Sequence, residues 1–158
     1  MMVQTDQMKV VLLEDEDLLR GLLGDWLSSQ PDIELLDSFR SLKAFNSSLE
    51  STVKDADVII ADLFLTDGES LDPVLREISA NPKKQGLVVI SGRPTADLFD
   101  RMSNGMSGGW AFLLKNSNGL SNLRQALQAV QSGLVMVDPE LKNMFTTPGL
   151  NTSLTAQE

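Results

Sequence analysis

Five short apolar runs recur along the chain, and each is followed by a segment whose apolar residues repeat at helical spacing. The runs, which we predict to be strands, are Met8–Leu13, Ile33–Phe39, Asp57–Leu63, Gly86–Ser91 and Trp110–Leu114. Nearly continuous apolar strands separated by amphipathic helices are typical of a parallel sheet covered on both faces. The pattern therefore predicts an α/β fold: a flavodoxin-like, doubly wound, three-layer sandwich of five βα units with strand order 2-1-3-4-5.

The helical segments differ in strength. Their apolar positions fall within residues 18–27, 42–49, 71–78, 98–106 and 120–130. The fourth is the weakest, and it runs into the glycine-rich stretch SNGMSGG, residues 103–109. Because glycine adopts many backbone conformations, we expect this stretch to change shape easily.

Length and hydropathy suggest one domain. The chain has 158 residues, of which 42% are apolar, enough for a single core of ordinary size. We assign residues 8–133 to this domain, and we interpret the polar, turn-rich residues 134–158 as a following segment and linker. No apolar run approaches the ~20 residues that span a bilayer, and the N-terminus lacks a signal-peptide pattern. We therefore expect a cytoplasmic protein with no membrane contact.

Two residue types are missing, and their absence excludes whole classes of chemistry. The chain contains no cysteine and no histidine, so Ser-His-Asp catalysis, thiolate chemistry and Cys/His zinc sites are excluded. A bound metal must have oxygen ligands, which points to Mg²⁺, with Mn²⁺ or Ca²⁺ as substitutes. The formal net charge of −9 disfavours direct binding to nucleic acid.

Polar side chains stand where the predicted strands end. Glu14 and Asp15 follow the first strand, Asp62 closes the third, Ser91 ends the fourth and Lys115 follows the fifth. The carboxyl ends of parallel strands lie on one edge of the sheet, so we expect these groups to converge. Carboxylates, a hydroxyl and an ammonium in one place could hold a hard cation and an anion beside it.

Four acids follow the first strand, and we divide them into two pairs. Glu14 and Asp15 are expected to point toward the cation. Glu16 and Asp17 are expected to lie at the start of the first helix, where the helix dipole favours negative charge.

These strand-end residues resemble the receiver domain of two-component response regulators, over roughly residues 9–141. The match rests on Glu14-Asp15, on Asp62 in DVIIADLFLTDG, on Ser91 in VVISGRP and on Lys115 in AFLLKNS. The resemblance implies a CheY-like fold in which Asp62 accepts a phosphoryl group. It further implies that Lys115 and Ser91 contact the phosphoryl group, and that Phe112 is an aromatic switch residue. Mg²⁺ would be bound by Glu14 through water, by Asp15, by Asp62 and by the backbone carbonyl of Phe64.

Three stretches resemble the NarL/LuxR-type subfamily in particular. They read DLFLTDG, LLK and, after the last helix, GLVMVDPEL. Thr66 and Gly92 depart from the usual proline and alanine, but neither position carries a reacting group. Members of this subfamily continue into a helix-turn-helix domain, and the final SLTAQE resembles its opening. We therefore expect a fragment that ends before a DNA-binding domain; a single-domain protein with a polar tail is the alternative.

The resemblance also implies partners and an output. The phosphoryl donor would be a sensor histidine kinase, a homodimer is possible, and DNA would be bound only through the missing C-terminal domain. The chain would not be an enzyme apart from Mg²⁺-dependent self-phosphorylation and slow loss of the phosphoryl group. The alternative is a pseudo-receiver, a protein–protein interaction module that works without phosphorylation. A haloacid-dehalogenase-type phosphatase is disfavoured, because Phe64 stands where its second aspartate is required.

Overall fold

The structure, a computed structural model, describes residues 6–62 and 71–144; for Leu71 and residues 142–144 it describes the backbone alone. One parallel sheet forms the centre, with strand order β2-β1-β3-β4-β5-β6. The strands are β1 Met8–Leu13, β2 Ile33–Phe39, β3 Val58–Asp62, β4 Gly86–Ser91, β5 Trp110–Leu114 and β6 Val135–Val137. The predicted flavodoxin-like α/β fold is thus confirmed, with one strand added at an edge.

Helices connect successive strands and cover both faces of the sheet. They are α1 Asp17–Ser29, α2 Leu42–Ser47, α3 Leu71–Ala80, α4 Ala96–Gly105, α5 Ser117–Ser121, α6 Leu123–Gln131 and α7 Pro139–Met144, with a 3-10 turn at Val53–Asp55. Polar side chains start several of them: Ser41, Thr95 and Asn116 each accept a hydrogen bond from the backbone N–H three residues later. Such caps satisfy N–H groups that the helix leaves unpaired. None of the helices in the described part of the chain has both the length and the hydropathy needed to cross a bilayer.

Alternate residues of each central strand enter two separate cores. On one face Val11, Ile59 and Val89 pack with residues of α2, α3 and α4. On the other face Val10 and Ile60 pack with residues of α1 and α6. β3 and β4 are buried along their whole length, as expected for central strands of a three-layer sandwich. The packing of helices on both faces holds the sheet rigid. The ends of its strands are therefore fixed relative to one another.

The helical region predicted over residues 120–130 is divided into two helices. α5 ends at Ser121 and α6 begins at Leu123, with Asn122 between them. The residues around the break, SNGLSN, are weak helix formers, and asparagine and serine side chains compete for backbone hydrogen bonds. The chain therefore passes from β5 through the short helix α5 into the longer helix α6.

The sheet extends past the five strands predicted from the sequence. Gly133 has a positive φ of 82° and ends α6 in the left-handed conformation that glycine tolerates. Residues Val135–Val137 then pair in parallel with Trp110, Ala111 and Phe112. This strand and α7 fall within residues 134–158, which the sequence pattern assigned to a linker; a three-residue strand at a sheet edge is too short for periodicity to detect. Residues 145–158, including SLTAQE, lie outside the described part of the chain.

Candidate functional site

The strand-end residues singled out from the sequence lie together at one edge of the sheet. Asp62 is the last residue of β3 and Ser91 the last of β4, and Ser91 is paired with Leu114 at the end of β5. Lys115 follows directly, and its backbone N–H donates a hydrogen bond to the Ser91 carbonyl, at 2.9 Å. The parallel register therefore brings the three strand ends to one level. Glu14 follows β1 on the far side of β3.

Lys115 is surrounded by carboxylates. Its Nζ lies 2.6 Å from Oδ2 of Asp62, 3.6 Å from Oε2 of Glu14 and 3.7 Å from Oε1 of Glu16. The side chain of Lys115 is 17% exposed, whereas those of Asp62 and Glu14 are 2% and 0% exposed. Burial acts to lower the pKa of Lys115, but the neighbouring carboxylates outweigh it and the pKa lies above its ordinary value. Lys115 is therefore a fixed positive charge at the mouth of the site.

Three carboxylates form a cluster that suits a hard cation. One carboxylate oxygen from each of Glu14, Asp15 and Asp62 lies within 4.8 Å of the other two. Oε2 of Glu14 accepts the backbone N–H of Glu16 at 3.0 Å, but the buried Oε1 has no hydrogen-bond donor among the described residues. Burial of the carboxyl, together with the neighbouring Asp62 carboxylate, raises the pKa of Glu14 to about 8. A buried carboxylate with few hydrogen-bond donors is costly to ionise. A divalent cation would stabilise its ionised form.

Ser91 and Phe112 lie behind this cluster. Ser91 is 2% exposed, and its Oγ accepts the backbone N–H of Arg93 at 3.1 Å. Phe112, three residues before Lys115 on β5, is fully buried and belongs to the core that contains Met102 and Leu141. Ser91 thus lies at the end of β4, and Phe112 lies in the core on the α4 side of the sheet.

The last two of the four acids after β1 lie at the start of α1, and Glu16 also faces the site. Glu16 occupies the N-cap position of α1 but makes no side-chain capping bond. Asp17 lies in the first turn, where hydrogen bonding and charge from Arg20 lower its pKa. Glu16 also reaches toward Lys115, which the sequence pattern did not indicate because it placed this acid at the helix alone.

One predicted ligand cannot be located. The backbone carbonyl of Phe64 falls outside the described residues, as does the rest of the segment 63–70. In the other direction, Asp138 is a residue that the pattern of strand ends missed. It is 2% exposed and accepts the backbone N–H of Leu114, next to Lys115. The sequence does contain a signal for Asp138: it directly precedes Pro139, and aspartate before proline is typical of a helix start.

Comparison with known proteins supports the fold. No model of a protein family matches the chain. A curated relative, the protein-glutamate methylesterase/protein-glutamine glutaminase of Nitrobacter winogradskyi, is 30% identical over 89 residues. That match covers 54% of this chain but only 19% of the enzyme, so it concerns a small part of that protein.

Solved structures match over most of the chain. The isolated REC domain of RcsB from Salmonella enterica serovar Typhimurium, with the phosphomimetic BeF₃⁻, superposes with a TM-score of 0.69 at 17% identity, covering 87% of this chain and 98% of that one. A LuxR-family two-component response regulator from Aurantimonas gives 0.70 at 13% identity, with coverages of 87% and 94%. The response regulator domain of Thermotoga maritima CheB gives 0.60 at 19% identity, with coverages of 80% and 96%. The chain therefore has the fold of these receiver domains.

Proposed function

We propose that this chain is a phosphoacceptor receiver domain of a two-component response regulator, and that Asp62 is the residue phosphorylated. The observation that carries the proposal is the contact between Lys115 Nζ and Asp62 Oδ2, made inside a cluster of buried carboxylates. An aspartate that served only to end a strand would not need a buried cation and two further acids around it. Beside this contact the pKa of the buried Glu14 carboxyl is raised, and shifted groups of this kind are typical of functional sites.

The reaction is a displacement at phosphorus. A carboxylate oxygen of Asp62 attacks the phosphoryl group of a phosphohistidine on a sensor histidine kinase. The new O–P bond forms as the N–P bond breaks, and the imidazole nitrogen leaves with the electron pair. Such transfers depend on positioning and on neutralising charge at the phosphoryl oxygens. We propose that Lys115, whose Nζ contacts Asp62, binds one of those oxygens and that the Ser91 hydroxyl donates to another.

The donor set fits a bound Mg²⁺ ion. Asp15 and Asp62 would bind it directly with the backbone carbonyl of Phe64, and Glu14 through water. This ion prefers oxygen ligands and keeps several waters, so few protein ligands suffice. When bound, Mg²⁺ would offset the repulsion among the carboxylates and the charge on the phosphoryl oxygens. The Glu14 carboxyl supplies the reason to expect it, since one of its oxygens is buried with no hydrogen-bond donor in the part of the chain that the structure describes.

The signal would leave the site through Ser91 and Phe112. We propose that Ser91 moves toward the phosphoryl group and that the packing of Phe112 changes in response. Phe112 is already fully buried, so this movement would alter its neighbours in the core rather than its exposure. The surface affected is that of α4 and β5, beside the glycine-rich residues 103–109.

Subfamily and output belong to the same proposal. The structural relatives include a LuxR-family regulator and a complex of RcsB with DNA. We propose a NarL/LuxR-type regulator in which residues 8–133 act as the receiver and a further helix-turn-helix domain, absent from this chain, binds DNA. Dimerisation and a cytoplasmic location are parts of this proposal too.

Phosphate uptake from a small donor tests the proposal without a kinase. Purified protein is incubated with acetyl phosphate or phosphoramidate and Mg²⁺, and intact mass is measured. Wild type should gain one phosphoryl group, and Asp62→Asn should gain none. Asp57→Asn is the matched control: this aspartate lies at the other end of β3, where it binds Lys83 and the N–H of Lys9. A wild type that takes up nothing would instead favour the phosphorylation-independent pseudo-receiver.

A further inference from the structure

Asp138 joins the edge of the sheet to the last helix through four hydrogen bonds. Its backbone N–H donates to the carbonyl of Phe112 at 2.9 Å, and its backbone carbonyl accepts the N–H of Leu141 at 2.9 Å. Its carboxylate accepts the N–H of Leu114 through Oδ2, at 3.2 Å, and that of Glu140 through Oδ1, at 3.1 Å. Asp138 is 2% exposed. Its carboxylate and its backbone each hydrogen-bond to β5 on one side and to α7 on the other.

The carboxylate takes the place of a backbone carbonyl in the sheet. In a parallel pair, the residue that donates to one partner residue normally accepts, with its own carbonyl, from the partner two positions later. Asp138 donates to Phe112 in this way, but its carbonyl is used in the first turn of α7. The side chain supplies the missing acceptor for Leu114. One residue thus completes the β5 ladder and caps α7 at the same time.

This arrangement holds the end of β5 from both edges. On one side the N–H of Lys115 is bonded to the carbonyl of Ser91. On the other side the N–H of Leu114 is bonded to the Asp138 carboxylate. The backbone that carries the Lys115 side chain therefore depends on β4 and on the segment β6–α7 together.

Helix α7 is also in contact with the core below the site. Leu141 is fully buried in the same core as Phe112 and Leu114. The helix is thus attached at two points, by the Asp138 hydrogen bonds and by the Leu141 side chain. Both attachments connect α7 to the region around the end of β5, which leads to Lys115.

We propose that Asp138 is a positioning residue for Lys115, and that through it the state of the phosphoacceptor site is coupled to the docking of α7. The inference rests on the proposed function, because Lys115 matters only if a phosphoryl group is bound there. Coupling of this kind is reciprocal. Occupation of the site strengthens the docking of α7, and docking of α7 strengthens occupation of the site by the same factor.

The first experiment reads the position of Lys115 without any phosphoryl donor. Protein is treated with a limiting amount of an N-hydroxysuccinimide acetate ester, and acetylation of Lys115 relative to Lys83 is measured by peptide mass spectrometry. Asp138→Ser is the key variant, because serine can still cap α7 but is too short to replace the bond to Leu114. We expect both Asp138→Ser and Asp138→Ala to raise Lys115 labelling several-fold. Glu140→Ala, an exposed change in the same helix, should leave labelling unchanged.

The second experiment measures the coupling. Beryllium fluoride with Mg²⁺ is titrated as a phosphoryl mimic, and hydrogen exchange of residues 135–144 is followed with and without it. Wild type should bind the mimic and exchange more slowly in this segment when it is bound. Asp138→Ser should bind it several-fold more weakly and lose most of the difference in exchange.

The outcomes separate the two proposals. Unchanged Lys115 labelling in Asp138→Ser, or an equal rise in Glu140→Ala, would overturn the positioning role whether or not the protein is phosphorylated. Exchange of residues 135–144 that does not respond to the mimic would overturn the coupling. A wild type that takes up no phosphate, with labelling still raised in Asp138→Ser, would support the positioning role and count against the proposed function alone.

Discussion

Lys115 reaches across a whole strand to contact Asp62. The two residues belong to the ends of β5 and β3, with β4 between them, yet Nζ and Oδ2 are 2.6 Å apart. Asp62 is almost fully buried, and the Lys115 ammonium is in direct contact with its carboxylate. The contact therefore compensates a charge that water cannot reach, and its energetic importance should exceed that of the surface ion pairs.

Removing the Lys115 ammonium should destabilise the metal-free protein. We expect Lys115→Met to lower the free energy of unfolding by about 2 kcal/mol at neutral pH, because the buried Asp62 carboxylate loses the ammonium that contacts it. Urea denaturation in EDTA measures this. Lys83→Met is the control: Lys83 pairs with Asp57 at 2.9 Å, but that pair is 40% and 28% exposed and should be worth less than about 1 kcal/mol. Equal losses in the two variants would contradict the account.

Glu14 should make both stability and metal binding depend on pH. Its pKa is raised from 4.5 to about 8 in the folded protein, so the folded state binds more protons than the unfolded state between these values. The metal-free protein should therefore lose stability as pH rises through this window. Mg²⁺ requires the carboxylate, so its affinity should rise over the same range.

The Glu14→Gln variant isolates this effect. Glutamine keeps the shape of the side chain but does not titrate, so we expect a flatter dependence of stability on pH in urea denaturation without metal. Mg²⁺ titrations at about pH 6 and about pH 8.5 should show a smaller affinity ratio in the variant than in wild type. Wild type and variant curves that run parallel would show that Glu14 is not the titrating group.

Strand ends were predictable from the sequence because they combine two strong signals. The runs that form β1, β3, β4 and β5 are almost wholly apolar. A polar or charged residue, such as Asp62 or Lys115, stands at or directly after the end of each run. A parallel sheet then converts positions far apart in the chain into neighbours. The fold of the sheet and the grouping of Glu14, Asp62, Ser91 and Lys115 follow from this.

The role of Asp138 could not be predicted in the same way. Its interactions depend on β6, which has only three residues and whose first member, Val135, is 54% exposed. Nothing in the period of so short a run indicates a strand. The proximity of Glu16 to Lys115 was likewise hidden, because it depends on the angle at which α1 leaves β1 rather than on any residue pattern.

Gly119 should be intolerant of even the smallest side chain. A Cβ placed there would lie 1.9 Å from the backbone oxygen of Leu114, so alanine would push α5 away from the end of β5. We expect Gly119→Ala to lower the free energy of unfolding by about 2 kcal/mol, within the range of overpacking. The control is Gly21→Ala. Gly21 lies on the exposed face of α1, and no atom lies within 4 Å of the added Cβ. That change should stabilise the protein by up to about 1 kcal/mol through helix propensity.

Locating the acyl phosphate tests the central claim most directly. Protein treated with acetyl phosphate and Mg²⁺ is reduced with borohydride, which converts a phosphorylated aspartate to homoserine, and the modified residue is identified by peptide mass spectrometry. The account predicts conversion at Asp62 alone, dependent on Mg²⁺ and absent when the metal is removed with EDTA. Conversion at another carboxylate such as Asp15, or none at all in the wild type, would contradict it.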